Sequence, residues 1–273
     1  MEKILFVPGV TKPSSKSIDF ACYLGELTKS EITGVFVDSV EAIDNGVPEK
    51  ALSIAGPASP QSDGNIASMA NEIAAFNQAC ERRSARHTVH IANNEPIEEI
   101  IRESRYADLL VLSPDISFSK TAEGQPSSFL KELLRDVECP VAIAPENFEG
   151  IEEIIFTYDD SRSAMFAIKQ FCYLFPKLDE TRVILLQVDD GKLCPQKDRE
   201  YLKEWMSNHY SSIGYETLQG NSKTALLASL LKKKNAFIVM GAYSRSTISQ
   251  FFEGSHADLL IQTLDRAFFI AHY

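Results

Sequence analysis

Phe237-Ile238-Val239-Met240-Gly241 is an apolar run that ends at a glycine, and Ala242-Tyr243-Ser244 carries it into a polar loop. The loop closes at Gly254-Ser255-His256, and Leu259, Leu260 and Leu264 then recur at helical spacing. An unbroken apolar run marks a strand covered on both faces. Small residues at both ends of the loop let the backbone approach a ligand closely. A helix N-terminus with unpaired N–H groups and a serine hydroxyl suits a phosphate. The same residues also read as a turn at Gly254 and a helix cap at Ser255, and on spacing alone that plainer reading is the stronger.

The strand–loop–helix pattern has a counterpart earlier in the chain. Leu109-Leu110-Val111-Leu112-Ser113 matches Phe237 to Gly241. Outward from there, Ile4-Leu5-Phe6-Val7-Pro8-Gly9 matches Ile154-Ile155-Phe156-Thr157-Tyr158-Asp159. Gly34-Val35-Phe36-Val37-Asp38 matches Leu185-Leu186-Gln187-Val188-Asp189, and Val141-Ala142-Ile143-Ala144 matches Phe268-Phe269-Ile270-Ala271. The order is the same in both halves, so the chain is an internal repeat. The halves meet near Pro145-Glu146-Asn147-Phe148-Glu149-Gly150, a link short enough to imply that they pack together. The expected domains are 1–147 and 151–273, the first lengthened after its second strand.

Between strands the period turns helical. Ile18, Cys22 and Gly25 share one side of a helix from Ser15 to Lys29. Ile97, Ile100, Ile101 and Ser104 share another, opposite Glu98, Glu99, Arg102 and Glu103. Leu226, Leu227, Leu230 and Leu231 form a third stripe, followed by Lys232-Lys233-Lys234, which suit the negative end of a helix. Gly56-Pro57-Ala58-Ser59-Pro60-Gln61-Ser62-Asp63-Gly64 is expected to be a surface loop. Apolar strands alternating with amphipathic helices predict an α/β fold, about five parallel strands per half with helices on both faces.

The net charge is −11, which opposes binding to nucleic acid or anionic membrane. No apolar run reaches the ~20 residues of a membrane helix, and Met1 to Pro8 reads as a strand rather than a leader, so the expected compartment is the cytoplasm. The five cysteines are scattered and form no C-x-x-C, which points to reduced, buried thiols rather than a disulfide framework or zinc site.

Val239-Met240-Gly241-x-x-Ser244, nine residues, then Gly254-Ser255 resembles the signature of the universal stress protein family, a strand ending in Met-Gly, then x-x-Gly, nine residues and Gly-Ser. Tyr158-Asp159-Asp160-Ser161 is similar to that family's opening strand end with its Asp-Gly-Ser. The resemblance covers nearly the whole chain in two copies. It implies two tandem five-stranded parallel-sheet domains of the adenine nucleotide alpha hydrolase type, strand order 3-2-1-4-5. They would form a pseudo-twofold unit through Val141–Ala144 and Phe268–Ala271. It implies an ATP or related adenine nucleotide site in the second repeat, with Mg²⁺ as a companion. Asp159 would lie by adenine and ribose, the Val188 backbone would read the adenine edge, and Met240 and Gly241 would line the ribose. Ser244, Gly254, Ser255 and His256 would face the phosphates. Ser244 and Asp160 stand where the family has glycine, and Tyr158 is bulky beside the expected base pocket. The first repeat departs further. Gly9 replaces the aspartate, Ser113-Pro114-Asp115 the glycine turn, and Ser127-Ser128 the Gly-Ser pair, so it reads as a scaffold.

Nothing else specifies catalysis. No Ser–His–Asp elbow, Walker loop or G-x-G-x-x-G occurs, and no catalytic residue or metal ligand is assigned. His87-x-x-His90 at a strand start sends its rings to opposite faces. His209 reads as a surface or packing residue beside Trp205. Asp159-Asp160 and Asp189-Asp190 are two acidic strand ends at one edge of the sheet. They could hold Mg²⁺ with phosphate, or be solvated loop ends. The expected function is therefore regulatory binding of the universal stress protein type. A nucleotide-independent scaffold working through protein contacts or homodimerisation is the alternative, and a weak ATPase the second alternative.

Overall fold

The computed structural model describes residues 1–9, 15–37, 60–92, 95–113, 116, 127–189, 195–241 and 266–271. The first half runs β1 (Lys3–Val7), α1 (Ser15–Thr28), β2 (Glu31–Val37), α2 (Pro60–Arg82), β3 (His87–Ala92), α3 (Pro96–Ser104), β4 (Leu109–Leu112), α4 (Ser128–Asp136) and β5 (Val141–Ile143). The second runs β6 (Glu153–Thr157), α5 (Arg162–Leu174), a 3-10 turn at Pro176–Leu178, β7 (Arg182–Asp189), α6 (Gln196–Ser207), β8 (Ile213–Gln219), α7 (Ser222–Leu230), β9 (Ala236–Gly241) and β10 (Ala267–Ala271).

The strands form one ten-stranded sheet ordered β3-β2-β1-β4-β5-β10-β9-β6-β7-β8. Within each half every pair is parallel. The halves join where β10 runs antiparallel to β5, with Phe268 opposite Ile143, Phe269 opposite Ala142 and Ile270 opposite Val141. The expected order, 3-2-1-4-5 in each half, is therefore present twice, and the pseudo-twofold contact is made by the last strands of the two halves. This pairing covers one edge of each half and leaves β3 and β8 as the outer strands.

Alternate residues along each strand feed two cores. On one face α1, α2, α5 and α6 pack through Phe20, Phe76, Phe171 and Met206 against Phe6, Phe156, Phe237 and Phe269. On the other face α3, α4 and α7 pack through Ile100, Leu130, Leu133 and Leu230 against Leu5, Leu110, Ile155 and Ile238. Central strands such as β4 are buried at every residue, which is why their sequence shows no alternation.

The first core runs through the junction of the halves. Phe20 of α1 lies edge-on to Phe237 of β9 at 5.7 Å, and Phe148 from the linking segment packs on Phe20 at 5.1 Å and on Tyr23 at 5.2 Å. The stretch around Phe148 is thus a packed aromatic strap. The stretch expected to be a surface loop, 56–64, is helical from Pro60 onward, and 56–59 lie outside the described residues. Proline suits a helix's first position because its fixed φ is helical and the missing N–H has no intrahelical partner there.

Among the described residues, no helix is long and apolar enough to cross a membrane.

Candidate functional site

In an open α/β sheet, ligands enter at the carboxyl ends of the strands where the order of connection reverses. In the second half that point lies between β6 and β9, since β6 leads outward to β7 while β9 lies on its other side. Four of the expected site residues are described, and the topology brings them to this edge. Asp159 follows β6, Val188 is near the end of β7, and Met240 and Gly241 end β9. The hydroxyl of Thr157, last in β6, donates to the Val239 carbonyl at 3.1 Å and ties the two strand ends together. Ser244, Gly254, Ser255 and His256 lie outside the described residues.

Strand parity divides the three that lie in strands. Val188 follows Ile184 and Leu186, and Met240 follows Ile238, so both are on the α7 face of the sheet and both are half-buried. Gly241 follows Val239 onto the other face. A Cβ there would lie 2.4 Å from the Ser163 carbonyl carbon and 2.5 Å from the Ala164 nitrogen, in the first turn of α5. The glycine is thus explained by the approach of helix to strand, a cause the sequence alone did not separate from room for a ligand.

The turn between β6 and α5 is built by three side chains. Exposed Asp159 accepts the Ser161 N–H at 3.1 Å. Ser161 caps α5 by accepting the Ala164 N–H at 3.1 Å. Between them Asp160 adopts φ +63°, a conformation that favours glycine but that aspartate tolerates better than most residues. Its carboxylate accepts the Tyr158 hydroxyl at 3.0 Å. Tyr158 is itself buried in the first core, not standing in the edge. The Asp160-for-glycine departure therefore falls where backbone geometry asks for glycine. Asp160→Ala should lower stability by about 1–2 kcal/mol, losing a hydrogen bond and leaving a bare Cβ in the left-handed region. Asp160→Gly should change it by less than about 0.5 kcal/mol, because relieved strain offsets the lost bond. Urea unfolding of the two variants side by side checks this, and equal losses would overturn the backbone account.

At the end of β7, Asp189 accepts from the Gln219 side chain at 3.2 Å, and its carbonyl accepts the Gly220 N–H at 3.2 Å. The edge therefore has an apolar side, Val188 and Met240, and acidic ends, Asp159, Asp160 and Asp189. Among the described residues, no group of three or more His, Cys, Asp or Glu is placed to hold a metal ion.

A universal stress protein from Archaeoglobus fulgidus superposes over 98% of this chain and 96% of its own, with a TM-score of 0.67 at 18% identity. A putative universal stress protein from Pseudomonas aeruginosa covers 100% of this chain and 93% of its own, with a TM-score of 0.57 at 14% identity. The fold is that of the universal stress proteins. A half-length structure from Arabidopsis thaliana, a universal stress protein family protein with AMP bound, spans 54% of this chain and 93% of its own at 16% identity, and its TM-score of 0.36 is too low to bear on the site. No protein-family model matches the sequence, and no curated protein matches it.

Within this universal stress protein fold the first half differs at the matching edge. Ser113, buried after β4, takes the place of Gly241. Gly9 stands in place of Asp159. At α4 the cap is Ser127, whose hydroxyl accepts the Leu130 N–H at 3.1 Å while donating to the Ile116 carbonyl. The other candidates have structural partners. His87 packs edge-on to Phe76 of α2, while His90 on the opposite face meets Glu103 of α3 at 3.0 Å. His209 packs tilted against Trp205, ring centroids 4.2 Å apart.

Proposed function

We propose that this chain is a regulatory binding protein of the universal stress type that takes an adenine nucleotide at the carboxyl edge of its second half. The reading is carried by one observation: 98% of the chain, both repeats included, superposes on a tandem fold of that kind. The motif Met240-Gly241-x-x-Ser244-x9-Gly254-Ser255 supports it.

The described edge suits part of such a ligand. Val188 and Met240 supply an apolar wall for a flat base, and the Asp159 carboxylate is an acceptor for ribose hydroxyls. Three carboxylates at the strand ends repel phosphates, so the phosphates fall to the backbone N–H groups of Ser244 and Gly254 to His256, with Mg²⁺ offsetting the acid side chains. Gly241 contributes by fixing where α5 starts.

A scaffold without nucleotide is the second reading. It is favoured by Asp160, whose charge replaces a glycine beside the expected phosphates, and by the altered first half. Hydrolysis has no assigned base or nucleophile. The test is the nucleotide content of freshly purified protein, released by acid and resolved by chromatography, with calorimetric ATP titration of the stripped protein in Mg²⁺. Adenine nucleotide near one per chain supports the site. No nucleotide and no heat of binding supports the scaffold. Gly254→Val should abolish binding while leaving the unfolding curve unchanged, because a branched Cβ fills the backbone's approach to phosphate. Unchanged affinity in that variant means that the phosphates lie elsewhere.

A further inference from the structure

The scattered cysteines of the sequence contain one spatial pair. Cys22 in the middle of α1 and Cys80 in the last turn of α2 are both fully buried, and their sulfurs are 3.5 Å apart. That is van der Waals contact, and closing it to the ~2.0 Å of a disulfide asks for side-chain rotation and small helix shifts, not a new fold. We propose that Cys22 and Cys80 form a reversible dithiol–disulfide site that locks α2 onto α1 when the protein meets a peroxide.

The surroundings fit this chemistry. Arg83, just past α2, bridges to Asp19 at 3.5 Å and Glu26 at 3.8 Å, the α1 residues about one turn before and one turn after Cys22. It spans the two helices over the thiol pair and brings positive charge to it. The hydrogen bond shared with Cys80, helped by the nearby arginine charge and opposed by burial, holds the Cys22 thiol below its ordinary value. Cys80 is correspondingly pushed up as the protonated partner. Access comes from the helix end. The carbonyl of Cys80 accepts the N–H groups of Arg83 at 3.2 Å and Ala85 at 2.9 Å, closing α2 beside the exposed Arg83–Ser84 turn, and terminal turns open at the lowest cost.

The Cys22 thiolate attacks one oxygen of hydrogen peroxide, the O–O bond breaks, and protonated hydroxide leaves as water. The resulting sulfenic acid is attacked by Cys80, the S–S bond forms, and a second water leaves. The two thiols lose two hydrogens, and a thiol reductant returns them. Cys139 and Cys172 are internal controls. Burial pushes their thiols up to about 12 and about 11, so they stay protonated at neutral pH.

The experiment treats the native full-length protein with hydrogen peroxide, blocks free thiols by alkylation and maps the peptides without reduction. The expected product is a Cys22–Cys80 linked peptide, reversed by dithiothreitol and absent from Cys22→Ser and Cys80→Ser. In Cys80→Ser a dione probe should trap the sulfenic acid on Cys22. Because the bond closes a loop spanning 58 positions, the oxidised wild type should melt higher by on the order of 5 °C. Recovery of both residues as alkylated thiols after peroxide overturns the proposal. So does a link that forms only in urea, or oxidation of either sulfur to sulfinic acid without a link. The wild-type map decides the question even where a serine variant fails to fold.

Discussion

Gly241→Val should be among the most damaging single substitutions in the second half, lowering stability by about 3 kcal/mol or preventing soluble expression. The cause is geometric. The Cβ of any residue at 241 would meet three backbone atoms of Ser163 and Ala164 between 2.4 and 2.6 Å, and backbone cannot rotate away as a side chain can. To admit the Cβ, α5 must withdraw from the end of β9, and Phe171, one of its buried faces, withdraws with it. Gly241→Ala should show the same effect at smaller size. Gly214→Ala is the control. Its Cβ would sit 3.5 Å from the Val183 carbonyl, an ordinary contact, so its stability should change by less than about 0.5 kcal/mol. Urea midpoints of the three variants are the measurement. A Gly241→Ala protein as stable as the wild type but weaker for nucleotide would show that this glycine makes room for ligand and not for helix.

That pair of outcomes marks where the sequence stops being legible. The strands could be read because burial on both faces leaves a direct trace: Leu109 to Leu112 and Phe237 to Val239 are apolar without a break. The doubled order could be read because the two halves repeat the same series of strand ends. Gly241 could be singled out, but a glycine that admits a helix and one that admits a phosphate look alike in sequence. The Asp160 turn was half legible. The resemblance pointed to a glycine position, and the backbone angle of +63° gives its reason, whereas the hydrogen bond from Tyr158 depends on a side chain turning inward and left no pattern. The start of α2 at Pro60 was misread because proline and glycine weigh against a helix unless proline's place at the first turn is considered. The Cys22–Cys80 contact was beyond reach, since 58 positions separate the two and only the packing of α1 on α2 brings them together. The strap at Phe148 lay beyond reach for the same reason: the shortness of the link implies that the halves pack, but only the neighbouring Phe20 and Tyr23 make Phe148 part of the core.

Phe171→Ala should cost about 4 kcal/mol, more than removal of a typical core methylene group by a wide margin. Phe171 of α5 is fully buried. Its ring lies 5.6 Å from Phe156 in β6, 5.0 Å from Phe237 in β9, 5.2 Å from Phe269 in β10 and 4.9 Å from Phe175, mostly edge-to-face. Edge-to-face pairs add roughly 0.5–1.5 kcal/mol each beyond area burial, and all four neighbours lose a partner at once. The cavity cannot collapse easily, because three of those rings are fixed on adjacent strands of one sheet and Phe237 also holds Phe20 of the first half. Phe171→Leu keeps most of the volume and should lose roughly 1–1.5 kcal/mol. Because the same ring cluster joins α5 to both β9 and the junction strand β10, the alanine variant should unfold the two halves in one transition at a lower urea midpoint. Separate transitions for the two halves in the wild type would overturn that coupling. A loss under about 2 kcal/mol in Phe171→Ala would show that α5 can settle onto the sheet without its central ring.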